Sequence, residues 1–286
     1  MTSPLSKEWH AAAEAEYNSL IENETWELVE LPKHRRAIDC KWVFKAKYDS
    51  NGNVERFKGR VVARGFEQKH GIDYDETFAP VVKYPSLRAL LSYAVSNDMF
   101  IHQMDVVTAF LNGELEEEIY MTQPEGFAKK GSEHLVCRLK KSIYGLKQAP
   151  RCWNAVLDDF LKYHEFRQSG ADQCIYVRER AGVKTIVAVY VDDLVIVSSS
   201  ECDLKSVKQF LGNRFKMKNL GDLQYILGIS VTRDNHYLYL NQQAYVEQIL
   251  NKFGMKDCNP VSTPSTNDVR LVKDDGSRPV NSTEYH

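Results

Sequence analysis

The sequence predicts an α+β fold in which helices and antiparallel strands mix without a steady βαβα alternation. Helical and strand-like spacings follow one another irregularly along the chain. Hairpin signals at Asn51-Gly52 and Ala181-Gly182 join neighbouring strand-like runs. With 286 residues, 43% hydrophobic and 27% charged, the chain has the balance of a packed globular protein of one large or two ordinary domains.

Trp9, Ala13, Tyr17 and Leu20 recur at helical spacing behind Pro4, which suits an early helical position, so a first helix is expected from about Pro4 to Glu22. Lys41–Tyr48 and Glu55–Arg64 are β-like arms around Asn51-Gly52. Leu87–Ser96 reads as a helix, Phe100–Val106 as a strand ending at Asp105, and another helix begins near Thr108. Pro150 opens a helix with Trp153, Leu157, Phe160 and Leu161 on one face. Cys174–Val177, Lys184–Val191 and Leu194–Ser198 are strand-like, and Leu204, Val207, Phe210 and Leu211 mark a helix. Leu223–Arg233 and Tyr237–Leu240 read as strands joined at Asp234-Asn235. Asn241 can cap a last helix carrying Tyr245, Ile249, Leu250 and Phe253 and closed by Gly254; its apolar stripe reads mainly as packing. From Lys256 onward the composition is that of a linker.

Six cysteines lie scattered, with no Cys-x-x-Cys spacing, which argues against a zinc site and for a reducing compartment. The first residues lack the basic opening and apolar core of a signal peptide, and runs such as Ile186–Val191 are too short to span a bilayer. A soluble, intracellular protein is expected. Net charge is -2, but its distribution is uneven. Lys33–Lys69 holds eleven basic and four acidic residues; Arg138–Arg151 holds five basic residues and no acid. Two basic segments in a nearly neutral chain suggest localised phosphate contacts, while Glu114 and Glu116–Glu118 read as a solvated face.

In Thr185–Val197 two carboxylates, Asp192 and Asp193, interrupt an apolar run, where burial without partners would be costly. Neighbours in a regular strand point to opposite faces. A tight turn at Asp192-Asp193 would lift both to the rim of a sheet, where a cation offsets their repulsion. By itself the pair reads equally as a solvated turn. Asp105 also ends a strand, and together the three form the acidic cluster that two-metal phosphoryl transfer needs.

Gln103-Met-Asp-Val, Ala109-Phe-Leu-Asn-Gly113, Ser142–Trp153 and Tyr190-Val-Asp-Asp193 resemble the signature blocks of copia-type reverse transcriptases from long-terminal-repeat retrotransposon polyproteins. Trp42-Val-Phe-Lys45, Lys58–Phe66, Glu76–Val82 and Tyr225-Ile-Leu-Gly228 are similar to the same family, in its order, from about Trp9 to about Pro264.

The resemblance implies a right-hand polymerase that is RNA- and DNA-templated. Its fingers would be residues 1–79 and 114–149, its palm 80–113 and 150–233, and its partial thumb 234–255, with a linker at 256–286. Asp105, Asp192 and Asp193 would be catalytic and would hold two Mg2+ (or Mn2+) ions, with the Val106 carbonyl adding an oxygen. The hairpin cations Lys45, Lys47, Lys58, Arg60 and Arg64 would fold over the triphosphate as a group, with Lys47, Arg60 and Arg64 named to hold it, though any one of them also reads as a surface charge. Phe110 would exclude a 2′-hydroxyl, or serve as an ordinary core ring, and Tyr144 would lie near the nascent base pair or pack. Gly145, Lys147, Arg151, Tyr190, Leu227 and Gly228 would meet template or primer, Gly228 allowing close backbone approach inside a strand. The implied partners are an RNA template, a DNA primer/template duplex and a dNTP, with no membrane. The parent polyprotein would also carry protease, integrase and ribonuclease H modules, absent here, and would work in a cytoplasmic virus-like particle and later in the nucleus. The chain would then be a truncated polymerase core. The competing reading is an inactive remnant that only binds nucleic acid or protein.

Overall fold

A computed structural model describes residues 5–48, 53–234, 236–262, 272, 276 and 281–285. Pro4, Asn51-Gly52, Asn235 and most of the linker lie outside the described residues. The elements are α1 (Ser6–Glu22), β1 (Trp26–Val29), β2 (Ala37–Ile38), β3 (Cys40–Tyr48), β4 (Val54–Ala63), α2 (Tyr84–Ser96), β5 (Phe100–Val106), β6 (Tyr120–Met121), β7 (Val136–Leu139), α3 (Ala149–Tyr163), β8 (Arg167–Gln168), β9 (Ile175–Arg180), β10 (Val183–Tyr190), β11 (Asp193–Ser198), α4 (Glu201–Arg214), β12 (Met217–Asp222), β13 (Tyr225–Ile226), β14 (Ile229–Arg233), β15 (Leu238–Asn241) and α5 (Gln243–Lys252). The α+β class holds. Among the described residues no helix is long and apolar enough to cross a membrane.

The central sheet is antiparallel, in the order β12-β5-β11-β10-β9-β8. Its middle strands β10 and β11 are almost entirely buried, which their unbroken Val/Ile/Ala/Leu runs require. The core adds Leu87, Leu90 and Leu91 of α2, Trp153, Leu157 and Leu161 of α3, and Leu204, Val207 and Leu211 of α4. A second core joins Leu20 of α1, Val61 and Ala63 of β4, and the small sheet β1-β7-β6-β2. Phe110 packs against both cores and so marks their junction.

Three expectations are corrected. The helix near Thr108 is only a 3-10 turn, Ala109–Asn112. The strand Leu223–Arg233 is broken by a hairpin turn at Leu227-Gly228, both at positive φ (51° and 82°), between β13 and β14. The apolar stripe of α5 buries no residue; Tyr245, Val246, Ile249 and Phe253 are exposed. One strand was not expected at all: β12 pairs with β5 beside Asp105, although Met-Lys-Asn-Leu-Gly-Asp carries no alternation and no β-branched residue to mark it as a strand.

Candidate functional site

Three strands bring the acids together. In the β5/β11 register Asp105 lies opposite Asp193, and directly opposed residues of an antiparallel pair project to the same face. Gln103, two residues before Asp105, shares that face and donates from Nε2 to Asp193 Oδ1 at 3.0 Å. On the other flank Lys218 of β12 lies opposite Asp105. The strand ends therefore present a row Lys218–Asp105–Asp193.

The turn between β10 and β11 is not at Asp192-Asp193. Tyr190 pairs with Asp193, so the two turn residues are Val191 and Asp192, and Asp193 is already in the strand. Val191 sits at φ +55°, a strained conformation for a β-branched residue. Two bonds hold it there. The buried Trp153 indole donates from Nε1 to the Val191 carbonyl at 2.7 Å, and the Val106 amide donates to the Asp192 carbonyl at 2.9 Å. Helix α3 and strand β5 thus fix the acidic turn from below and beside.

The carboxylates crowd one another. Burial, and then the charge of Asp192, push the Asp105 carboxyl above its ordinary value; Lys218, Lys58 and Lys47 pull against this. Burial also raises Asp193, the Gln103 bond opposes it, and Asp192 and Asp105 raise it further. An all-oxygen set of like charges suits a hard divalent cation. Among the described residues no three ligating side chains are gathered closely enough to enclose an ion by themselves.

The cations come from the β3/β4 hairpin. Its register sets Lys45 opposite Lys58, Lys47 opposite Arg56 and Arg60 opposite Val43, so these five basic residues share one face. The other face packs Phe44 and Phe57 around Trp9 of α1. The Arg60 guanidinium lies 4.4 Å from the centroid of the Tyr144 ring, and that ring meets Phe110 edge-on at 4.6 Å. Arg60, Tyr144 and Phe110 therefore form a stack leading from the hairpin toward the strand end at Asp105. Arg64 does not join it. It follows β4, and its guanidinium faces Asp39 at 3.8 Å and Glu67 at 3.7 Å.

The other expected contacts divide. Gly145, at φ +94°, is required by packing: a Cβ there would lie 2.1 Å from the Ala63 carbonyl, where the Ala63 amide donates to the Tyr144 carbonyl at 2.8 Å. The Lys147 ammonium is engaged by the Tyr74 hydroxyl at 3.1 Å and lies over its ring. Arg151 is exposed at the start of α3, and Tyr190 is half-buried against the sheet core. No close backbone approach requires Gly228, since nothing lies within 4 Å of a Cβ built there; its positive φ does. Leu227 accepts the Tyr84 hydroxyl at 3.0 Å, and Gln103, Asp193, Leu220, Tyr225 and Leu227 line one open cleft. Lys58 was expected only as one of the group of hairpin cations, and Lys218 and Gln103 were not expected at the site. Their signal is the strand register, which sequence spacing alone does not supply.

Strand-end acids on an antiparallel sheet, with the cations of the hairpin acting on them, are the kind of site that handles phosphate with a divalent cation. The chain belongs to the family described as reverse transcriptase (RNA-dependent DNA polymerase), whose model matches residues 23–267. Its affinity is copia-type. It is 45% identical over 276 residues to the Retrovirus-related Pol polyprotein from transposon TNT 1-94 of Nicotiana tabacum, covering 96% of this chain and 21% of that one. It is 40% identical to the corresponding polyprotein from transposon RE2 of Arabidopsis thaliana, covering 97% and 19%. The chain thus spans about a fifth of the length of these relatives. Among solved structures, telomerase from Candida albicans with a TWJ fragment of telomeric RNA aligns at a TM-score of 0.41 and 10% identity, over 80% of this chain and 51% of that one. The family works with divalent metal ions.

Proposed function

We propose that this chain is a polymerase core that adds deoxynucleotides to a primer 3′-hydroxyl on an RNA or DNA template and releases pyrophosphate. The observation that carries this reading is the opposition of Asp105 and Asp193 across adjacent strands, with Asp192 in the strained turn beside them. Asp105, Asp192 and Asp193, with the Val106 carbonyl, would hold two Mg2+ (or Mn2+) ions, which when bound supply Lewis acidity and charge neutralisation at the reacting phosphate. Lys47, Lys58 and Arg60 receive the triphosphate. Phe110 sits under the sugar, where a ring disfavours a 2′-hydroxyl, and Tyr144 backs it. The cleft from Asp193 to the Leu227-Gly228 turn takes the primer end, and exposed Arg151 meets template phosphate.

In this reading the palm comprises 80–113 and 150–233, the fingers 1–79 and 114–149, and the partial thumb 234–255. The substrates are dNTP and a primer/template duplex. The chain works beside protease, integrase and ribonuclease H modules of a polyprotein, within a cytoplasmic particle and later in the nucleus.

The test supplies the protein with oligo(dT)-primed poly(rA), dTTP and Mg2+ or Mn2+, beside Asp192→Asn. Extension by the parent chain that disappears in the variant is expected. Duplex binding without extension by either protein would instead support a binding-only remnant.

A further inference from the structure

Helix α1 carries an acid into the cation cluster. The helix crosses β4 so closely that a Cβ on Gly59 would lie 3.1 Å from the Ala12 carbonyl oxygen, and the next turn of the helix brings in Glu16. The free edge of β4 is covered at alternate amides: the Ala63 N–H donates to the Tyr144 carbonyl, and the Val61 N–H donates to the Glu16 carboxylate. Glu16, Lys58, Arg60, Val107, Thr108 and Tyr144 border one small cavity, where Glu16 is the only acid among the described residues. Among those residues no ion pair joins Glu16 to either cation, so the carboxylate acts on them through space. Burial raises its proton affinity, and the Val61 bond, Lys58 and Arg60 oppose that. Lys58 in turn feels Glu16 and Asp105 as favourable charges and Arg60 and Arg56 as unfavourable ones.

We propose that Glu16 is a built-in counter-anion of the nucleotide site, taking in the free protein the place in the charge balance that a phosphate takes when a deoxynucleoside triphosphate or pyrophosphate reaches Lys58 and Arg60. This rests on the polymerase reading above. Its fixed charge offsets the mutual repulsion of the two cations before substrate arrives. The same charge repels a phosphate once bound, so Glu16 weakens the hold on both the incoming triphosphate and the leaving pyrophosphate.

The test is the stability of a ternary complex of protein, dideoxy-terminated primer/template and dTTP with Mg2+, with pyrophosphate as a competitor. Glu16→Gln keeps the size and the acceptor for the Val61 N–H but removes the charge. Its dTTP dissociation constant and its pyrophosphate inhibition constant are expected to fall about three- to tenfold, the range one partly screened charge supports. Glu16→Asp keeps the charge on a shorter stem and is expected to bind dTTP more weakly than Glu16→Gln. A purely packing role orders the two by shape and gives neither variant tighter binding. Equal or weaker dTTP binding by Glu16→Gln overturns the inference while leaving the polymerase reading intact. Absence of any nucleotide-dependent complex with the parent chain overturns that reading, and this inference with it.

Discussion

Val191 is an unfavourable local choice, a β-branched residue at φ +55° directly before an acid. The Trp153 indole restrains it through the carbonyl. Trp153→Phe keeps most of the buried ring and loses this one bond, so the variant is expected to lose about 1–2 kcal/mol in denaturant titration. Under the proposed function its extension rate is expected to fall more than its dTTP KM rises, because Asp192 and Asp193, and not the hairpin cations, hang on that turn. A variant with unchanged rate would make the bond purely structural. Phe110 answers to a different measurement. Its ring touches Tyr144 and both cores, so packing and discrimination are both at stake. In Phe110→Ala the ratio of kcat/KM for dTTP over UTP is expected to drop at least about tenfold, or about 1.4 kcal/mol of lost discrimination. An unchanged ratio with lowered stability would assign the ring to packing alone.

At the scale of elements, α2 has no side-chain cap of its own, and its start is held from another segment. The buried Asp172 accepts the Lys83 amide at 3.0 Å through one oxygen and the Cys174 amide at 3.0 Å through the other. Burial pushes this carboxyl up, but the bonds from Ser86, Lys83 and Cys174 outweigh it and hold it below the ordinary 3.8. A depressed folded-state value means stability present above the unfolded value and lost as pH falls through the folded one. Asp172→Asn is therefore expected to cost roughly 1–3 kcal/mol at neutral pH, with the gap to the parent closing below about pH 4 in thermal melts. A gap that stays constant into acid would remove the charge from the account. The long helices were legible because Trp9–Leu20 and Trp153–Leu161 show 3.6-residue spacing. β12 was not, because its only strand-like property is its partner: Lys218 and Asn219 become strand residues by pairing with β5.

For the whole molecule, net charge says less than its placement. Five cations share one face of the β3/β4 hairpin in a chain of net charge -2. Binding of a primer/template duplex is expected to weaken at least about tenfold between about 50 and 200 mM salt, with a smaller salt slope in a Lys45→Gln, Arg56→Gln double variant. A salt-independent affinity would show that the hairpin face does not meet phosphate. The basic count along Lys33–Lys69 drew attention to the segment, but only the hairpin register decides which of its members share a face. Arg64 is drawn off by Asp39 and Glu67, and Lys147, in the other basic segment, by Tyr74.

The sequence by itself determined the class of the fold and drew attention to Asp105, Asp192 and Asp193. Carboxylates inside apolar strand-like runs stand out because unpartnered burial there is costly, and their place at strand ends is local information. Only the tertiary structure decided which residues share a face: Asp193 with Gln103 and Asp105, Lys218 beside them, Glu16 against Lys58 and Arg60. Strand register and helix docking set those neighbours. A shift of one residue turns every side chain of a strand to the other face, so no reading of the chain in one dimension supplies them.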